Sequence, residues 1–82
     1  MTEAGGLKIT LTVDACGLIC PLPVIKLSKA IPTVPLNAVL ELLSTDPGSV
    51  PDLEAFERQT GHTVIEQSQD QGVYRFLVRR TK

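Results

Sequence analysis

The chain has 82 residues, 43% of them hydrophobic, with 21% charged residues and a formal net charge of −1. That is room for one domain with a modest core built from Leu, Ile and Val, since there is no Trp and only Phe56, Phe76 and Tyr74 are aromatic. The charge balance argues against a basic nucleic-acid surface, and no window approaches the ~18–20 apolar residues of a membrane span.

Residues 1–6 are short, polar and glycine-containing, lack the basic start and apolar stretch of a signal peptide, and are expected to be a flexible leader. A cytoplasmic protein with reduced thiols is the default expectation. Leu7 to Val13 alternates strictly between apolar and polar residues, which predicts a half-buried strand with Leu7, Ile9, Leu11 and Val13 facing inward. Asp14 and Gly17 close it.

The next stretch is Cys16-Gly17-Leu18-Ile19-Cys20-Pro21-Leu22-Pro23. Pro21 to Ile31 reads as a helix, with Val24, Leu27 and Ile31 on one stripe and Lys26 and Lys29 off it. Proline suits a first helical position, because its missing N–H would be unpaired there anyway. This places Cys20 near the N-cap, where free N–H groups and the positive dipole end favour thiolate over thiol. Pro32 and Pro35 stop the helix, and Asn37 is a residue that tolerates left-handed geometry.

Val39 to Ser44 predicts a central strand, and Thr45-Asp46-Pro47-Gly48 a turn. Ser49-Val50-Pro51-Asp52 resembles a capping box with Asp52 reaching back. A second helix from about Val50 to Thr60 should bury Val50, Leu53 and Phe56, pair Glu54 with Arg58 on its wet face, and end at Gly61. Thr63 to Gln69 reads as a polar strand, Asp70-Gln71-Gly72 as a hairpin turn, and Val73 to Arg80 as the last strand.

The order β-α-β-α-β-β predicts a two-layer α/β sandwich over residues 7–80: a four-stranded mixed sheet with both helices on one face, and 81–82 as a tail. Sites in such sheets lie where a strand's carboxyl end feeds a helix, and the Cys16–Pro23 stretch is at such a point.

Cys20 is the candidate working atom. Cys16 has two readings: a resolving thiol that closes a disulfide on Cys20, or a small buried residue at the strand end. A bridge needs Cα atoms within about 7 Å, whereas an extended stretch would hold these ~13 Å apart, and Gly17 could tighten the loop. Two cysteines and the distant His62 are too few for a structural zinc site, and His62 reads as a turn residue. Arg75, Arg79, Arg80 and Lys82 form either a basic interface edge or an ordinary charged strand face.

The run Asp14 to Pro23 resembles the Cys-Pro-x-Pro signature of the TusA/SirA-like sulfur carriers. Thr45-Asp46-Pro47-Gly48-Ser49 with Asp52, Ala55 and Phe56, the Thr60-Gly61-His62 turn, Glu66, and the Gly72 to Phe76 strand are similar to the same family. The resemblance spans Leu7 to Arg80. It implies a persulfide carried on Cys20, with Pro21 and Pro23 shaping the helix start and Gly17 in the motif loop. It implies no metal or organic cofactor. It also implies protein partners: a donor such as a cysteine desulfurase or rhodanese, and an acceptor feeding tRNA thiolation, sulfur oxidation or molybdenum cofactor supply. Such a chain is a sulfurtransferase in the relay sense, and a monomer suits alternate docking.

Ile19, Leu22, Asp46, Arg75 and Arg79 are candidates for the partner surface. Ile19 stands where many relatives carry Arg or Ser, Leu22 where Glu or Met is common, Asn37 where Gly is frequent, and Glu57 where some carry a further cysteine. The alternatives are a redox protein cycling a Cys16–Cys20 disulfide, whose spacing is looser than Cys-x-x-Cys, and a binding or regulatory module without chemistry.

Overall fold

The computed structural model describes residues 3–4 and 7–82, with side-chain surroundings from Lys8 onward. Strand β1 (Glu3–Ala4) pairs antiparallel with the start of β2 (Leu7–Ala15). Then come α1 (Leu22–Ala30), a 3-10 turn (Ile31–Thr33), β3 (Val39–Ser44), α2 (Ser49–Thr60), β4 (Thr63–Asp70) and β5 (Val73–Arg79). The sheet order is β1-β2-β3-β5-β4, so the four expected long strands form one mixed sheet and β1 adds a two-residue edge. Residues 1–2 and 5–6 of the expected leader lie outside the described residues.

Strand β3 is the centre of the sheet, parallel to β2 and antiparallel to β5. Its residues alternate between faces, as any strand's must. Leu40, Leu42 and Ser44 point toward the helices, opposite Val13 and Ala15 on one side and Val78 and Phe76 on the other. Leu27 and Ile31 from the α1 segment and Leu53 and Phe56 from α2 close this layer from above. Val24 and Val50, expected inside, pack against it only partly buried.

Three local expectations are corrected. The inward stripe of β2 is broken by a register shift between Ile9 and Leu11. Ile9 pairs with Val39 and Leu11 with Leu40, neighbours that point to opposite faces, and Leu11 remains 37% exposed; Leu7's side chain lies outside the described residues. Helix α1 begins at Leu22, with Pro21 as a non-helical N-cap residue (φ −98°, ψ 16°). The proline inside its first turn is Pro23, where a missing N–H costs nothing. As expected, α1 stops before Pro32, with Ile31 as its C-cap, and Pro32 lies within the 3-10 turn that follows. In α2 the capping box does not form. Gly48 is the N-cap without a side-chain cap bond, and Ser49 lies inside the first turn.

The turns follow the expected chemistry. Asn37 has φ +68°, Gly61 has φ +82° at the end of α2, and Gln71-Gly72 both have positive φ in the β4–β5 hairpin. A two-residue hairpin loop needs positive φ at both positions to match strand twist. Among the described residues the ion pair formed is Arg75–Glu41; Glu54 and Arg58 do not pair. No described helix is long and apolar enough to cross a membrane.

Candidate functional site

Because β2 and β3 are parallel and adjacent, the loops that follow them leave the same end of the sheet side by side. The first carries Cys16 to Pro21, the second Thr45 to Gly48. Side chains of the second loop tie down the backbone of the first. Thr45 Oγ1 accepts from the Gly17 N–H at 2.9 Å, and Asp46 Oδ2 accepts from the Cys20 N–H. The other oxygen of Asp46 accepts from the Gly48 N–H at 3.3 Å. Asp46 therefore holds both loops, and its own N–H is held at 3.2 Å by Ser44 Oγ, which bonds Ser49 Oγ at 2.6 Å in the buried interior.

Cys20 is half-buried at the junction. Its sulfur lies over Gly48. A β-carbon placed at residue 48 would stand 3.1 Å from Cys20 Cβ, 3.3 Å from Asp46 Oδ2 and 3.5 Å from Cys20 Sγ. The backbone at Gly48 is ordinary (φ −62°), so glycine is needed there for the approach of the cysteine and not for its dihedral angles. The Cys20 Sγ–H donates to Asp52 Oδ2 in the first turn of α2. The Cys20–Pro21 peptide bond is cis.

The expectation that the helix start favours the thiolate is corrected. The hydrogen bond to Asp52 pushes the Cys20 thiol up to about 11, helped by desolvation and by the charges of Asp52 and Asp46. A carboxylate that accepts the S–H stabilises the neutral form and repels the anion. With Cys20 outside the first turn of α1, these two carboxylates outweigh the dipole.

Cys16 is exposed in the turn after β2, which overturns its reading as a buried strand-end residue. Its N–H donates to Asp14 Oδ1 at 3.0 Å, and desolvation followed by the Asp14 carboxylate raises its thiol. Both cysteines are free. Around Cys20 the surface is apolar, with Ile19 72% exposed and Leu22 47% exposed. Between α1 and α2 a cleft of about 200 Å³ runs from Pro21 and Asp52 to Ala55 and Gln59.

The structure brings Cys20, Pro21, Gly17, Ile19, Leu22 and Asp46 together, with Pro23 buried in the first turn behind them. It does not bring in the arginines. Arg75 pairs with Leu43 on the sheet face away from the helices and binds Glu41 there. Arg79 pairs with Val39, at the opposite end of β3. His62 is also remote, stacked on Phe56 with its Nδ1 accepting from the Thr81 N–H at 3.1 Å. Among the described residues no group of His, Cys, Asp and Glu is placed to hold a metal.

Sequence reasoning missed Asp52 and Gly48 as site residues. Their signal was topological: parallel neighbours put the second loop and the start of α2 against the first loop.

Comparisons with known proteins concern the family and the fold. The family model described as sulfurtransferase TusA matches residues 11–80. A sulfur carrier protein TusA from Allochromatium vinosum is 40% identical over 83% of this chain and 90% of its own length. One from Pseudomonas entomophila is 35% identical over 84% and 86%. The crystal structure of a SirA-like protein from Desulfitobacterium hafniense superposes with a TM-score of 0.75 at 27% identity, covering 88% of this chain and 99% of that one. With a family model that runs from the middle of β2 through both loops to the end of β5, the chain belongs to the TusA family.

Proposed function

We propose that this chain is a sulfur carrier that takes a sulfane sulfur as a persulfide on Cys20 and passes it to a partner protein. One observation carries the reading: a half-exposed thiol at the open junction of two βα loops, seated over Gly48 and rimmed by exposed Ile19 and Leu22. The names of the relatives, sulfur carrier protein TusA, support the same role. In each exchange the Cys20 sulfur attacks the outer sulfur of a donor persulfide, and the donor's S–S bond breaks. The acceptor later repeats the attack on the Cys20 persulfide, so no electron is gained or lost overall. The chain is a sulfurtransferase only in this relay sense.

A site that two partners must reach in turn is better open than enclosed, and an apolar rim gives each partner a surface to bury. The donor class is a cysteine desulfurase or a rhodanese. The acceptors serve tRNA thiolation, sulfur oxidation or cofactor sulfur supply. A monomer in the reducing cytosol suits this work. The exposure of Cys16 on the same loop supports a second reading, a Cys16–Cys20 disulfide cycle.

Intact-protein mass after incubation with a cysteine desulfurase and cysteine, or with a rhodanese and thiosulfate, separates the two. A gain of one sulfur atom, lost on reduction and absent in Cys20→Ser but kept in Cys16→Ser, is the expected result. A loss of two hydrogens without added sulfur would replace the carrier reading with the redox one.

A further inference from the structure

We infer that Asp52 is a catalytic residue of the exchange: it takes the Cys20 thiol proton as the sulfur attacks, and returns it to the thiolate that leaves. This rests on the carrier reading of Cys20. The geometry behind it is the direct bond from Cys20 Sγ to Asp52 Oδ2, made by a residue fixed in the first turn of α2, with the Asp52 N–H held by Gly48 O at 3.3 Å. Asp46, the other carboxylate at this junction, is turned to the backbone N–H groups of Cys20 and Gly48. The two acids thus have separate tasks, one on the backbone and one on the sulfur.

A resting thiol is a poor nucleophile and needs a base in contact with it. As the Cys20 sulfur bonds to the outer sulfur of a persulfide R–S–SH, its proton moves to Asp52. The S–S bond of R–S–SH breaks and its electron pair stays on the inner sulfur, leaving R–S⁻. Asp52 then protonates R–S⁻. The products are Cys20–S–SH, R–SH and the original carboxylate, so protons and electrons balance. When the acceptor attacks, Cys20 is the leaving sulfur and the same carboxyl group relays a proton to it from the acceptor thiol. A thiol raised by its partner carboxylate would otherwise leave poorly, because a more basic thiolate is a worse leaving group.

The test compares two rates on the same protein: loading of Cys20 by glutathione persulfide, and its alkylation by iodoacetamide. Alkylation needs only the thiolate and expels iodide, which takes no proton. Loading expels a thiolate, which does. Asp52→Asn is expected to lower the ratio of loading to alkylation by roughly 100-fold, in the range general acid–base catalysis supplies. Asp52→Glu, which keeps a carboxyl group, is expected to restore most of that ratio. An unchanged ratio in Asp52→Asn would overturn the inference, because Asp52 would then act only on the thiolate fraction. Should Asp52→Asn not fold, a ratio in Asp52→Glu that falls as far as 100-fold would overturn it equally. If the unsubstituted protein gains no sulfur, or if Cys20→Ser still does, it is the carrier reading that fails.

Discussion

The thiol of Cys20 donates its hydrogen to the carboxylate of Asp52, 32 positions further along the chain, and this bond sets the resting state of the sulfur. It raises the thiol from its ordinary 9.0 to about 11, so the site waits as S–H. The pH profile of iodoacetamide alkylation, read by mass, should therefore place the Cys20 midpoint near 11. In Asp52→Asn the midpoint should fall toward the ordinary value. Alkylation at pH 8 should then speed up by as much as about 100-fold, because the thiolate fraction rises about tenfold for each step of one in the midpoint. A folded-state value above the unfolded one means that the fold favours the protonated group. Its contribution to stability is whole below pH 9 and is lost as pH rises through about 11, which alkaline unfolding curves of the two proteins would show.

Gly48→Ala places a methyl group 3.1 Å from Cys20 Cβ. The neighbours are a backbone-tethered cysteine and a carboxylate already holding two N–H groups, so neither yields freely. The expected cost is about 1–3 kcal/mol, typical of overpacking, together with altered Cys20 alkylation. Gly17→Ala is the control. It meets no atom within 4 Å but has φ +84°, so it should cost about 1–2 kcal/mol through backbone strain alone. Urea unfolding and alkylation rates, measured on both, distinguish the two kinds of glycine.

Ser44 and Ser49 are fully buried and bonded to each other, and Ser44 also receives the Asp46 N–H. Ser49→Ala should cost about 1–3 kcal/mol by leaving a buried hydroxyl short of a partner. Ser44→Ala should cost at least as much and should also loosen Asp46 from the cysteine loop. A double-mutant cycle by urea unfolding should show non-additivity, with the double variant less destabilised than the sum.

Arg75→Ala removes the partner of Glu41 on the far face of the sheet. Burial works to raise the Glu41 carboxyl, but the bonds from Arg75 and Thr12 overcome it and hold the group below its ordinary range. The pair's contribution is present at neutral pH and fades as acid protonates Glu41, with this partly buried pair, its side chains 27% and 12% exposed, expected to be worth on the order of 1 kcal/mol. Sulfur loading of Cys20 should be unchanged in both Arg75→Ala and Arg79→Ala, measured with a small persulfide that needs no docking surface.

Hydrophobic patterning made the layers legible. Phe76 and Val78 of β5 and the apolar run of β3 follow from which face packs on the helices, although Leu77 on the other face is fully buried too, and the positive-φ turns follow from Asn37, Gly61 and Gly72. Position in the chain made Cys20 legible, because a strand end feeding a proline-rich helix start is visible in one dimension. Its proton was not. Ser49-Val50-Pro51-Asp52 has local capping chemistry that competes with a tertiary bond, and the cysteine loop won Asp52. Local periodicity also says nothing of the shift between Ile9 and Leu11, which arises where β2 must match β3. The arginines were misleading for the same reason: Arg75 and Arg79 alternate onto the outer face of the sheet, away from the helices.

Strand β3 separates two poles of the molecule. Its last residue leads into the loop that grips Cys20, while its first pairs with Arg79, five residue steps or roughly 17 Å away. The closing residues are moored at that far pole, where Thr81 bonds Gly61 and His62. Anything joined beyond Lys82, whether a further domain, an affinity tag or a linker to a solid support, is led away from the sulfur. The protein can be tethered by that end and still present its thiol outward to whatever comes to collect from it.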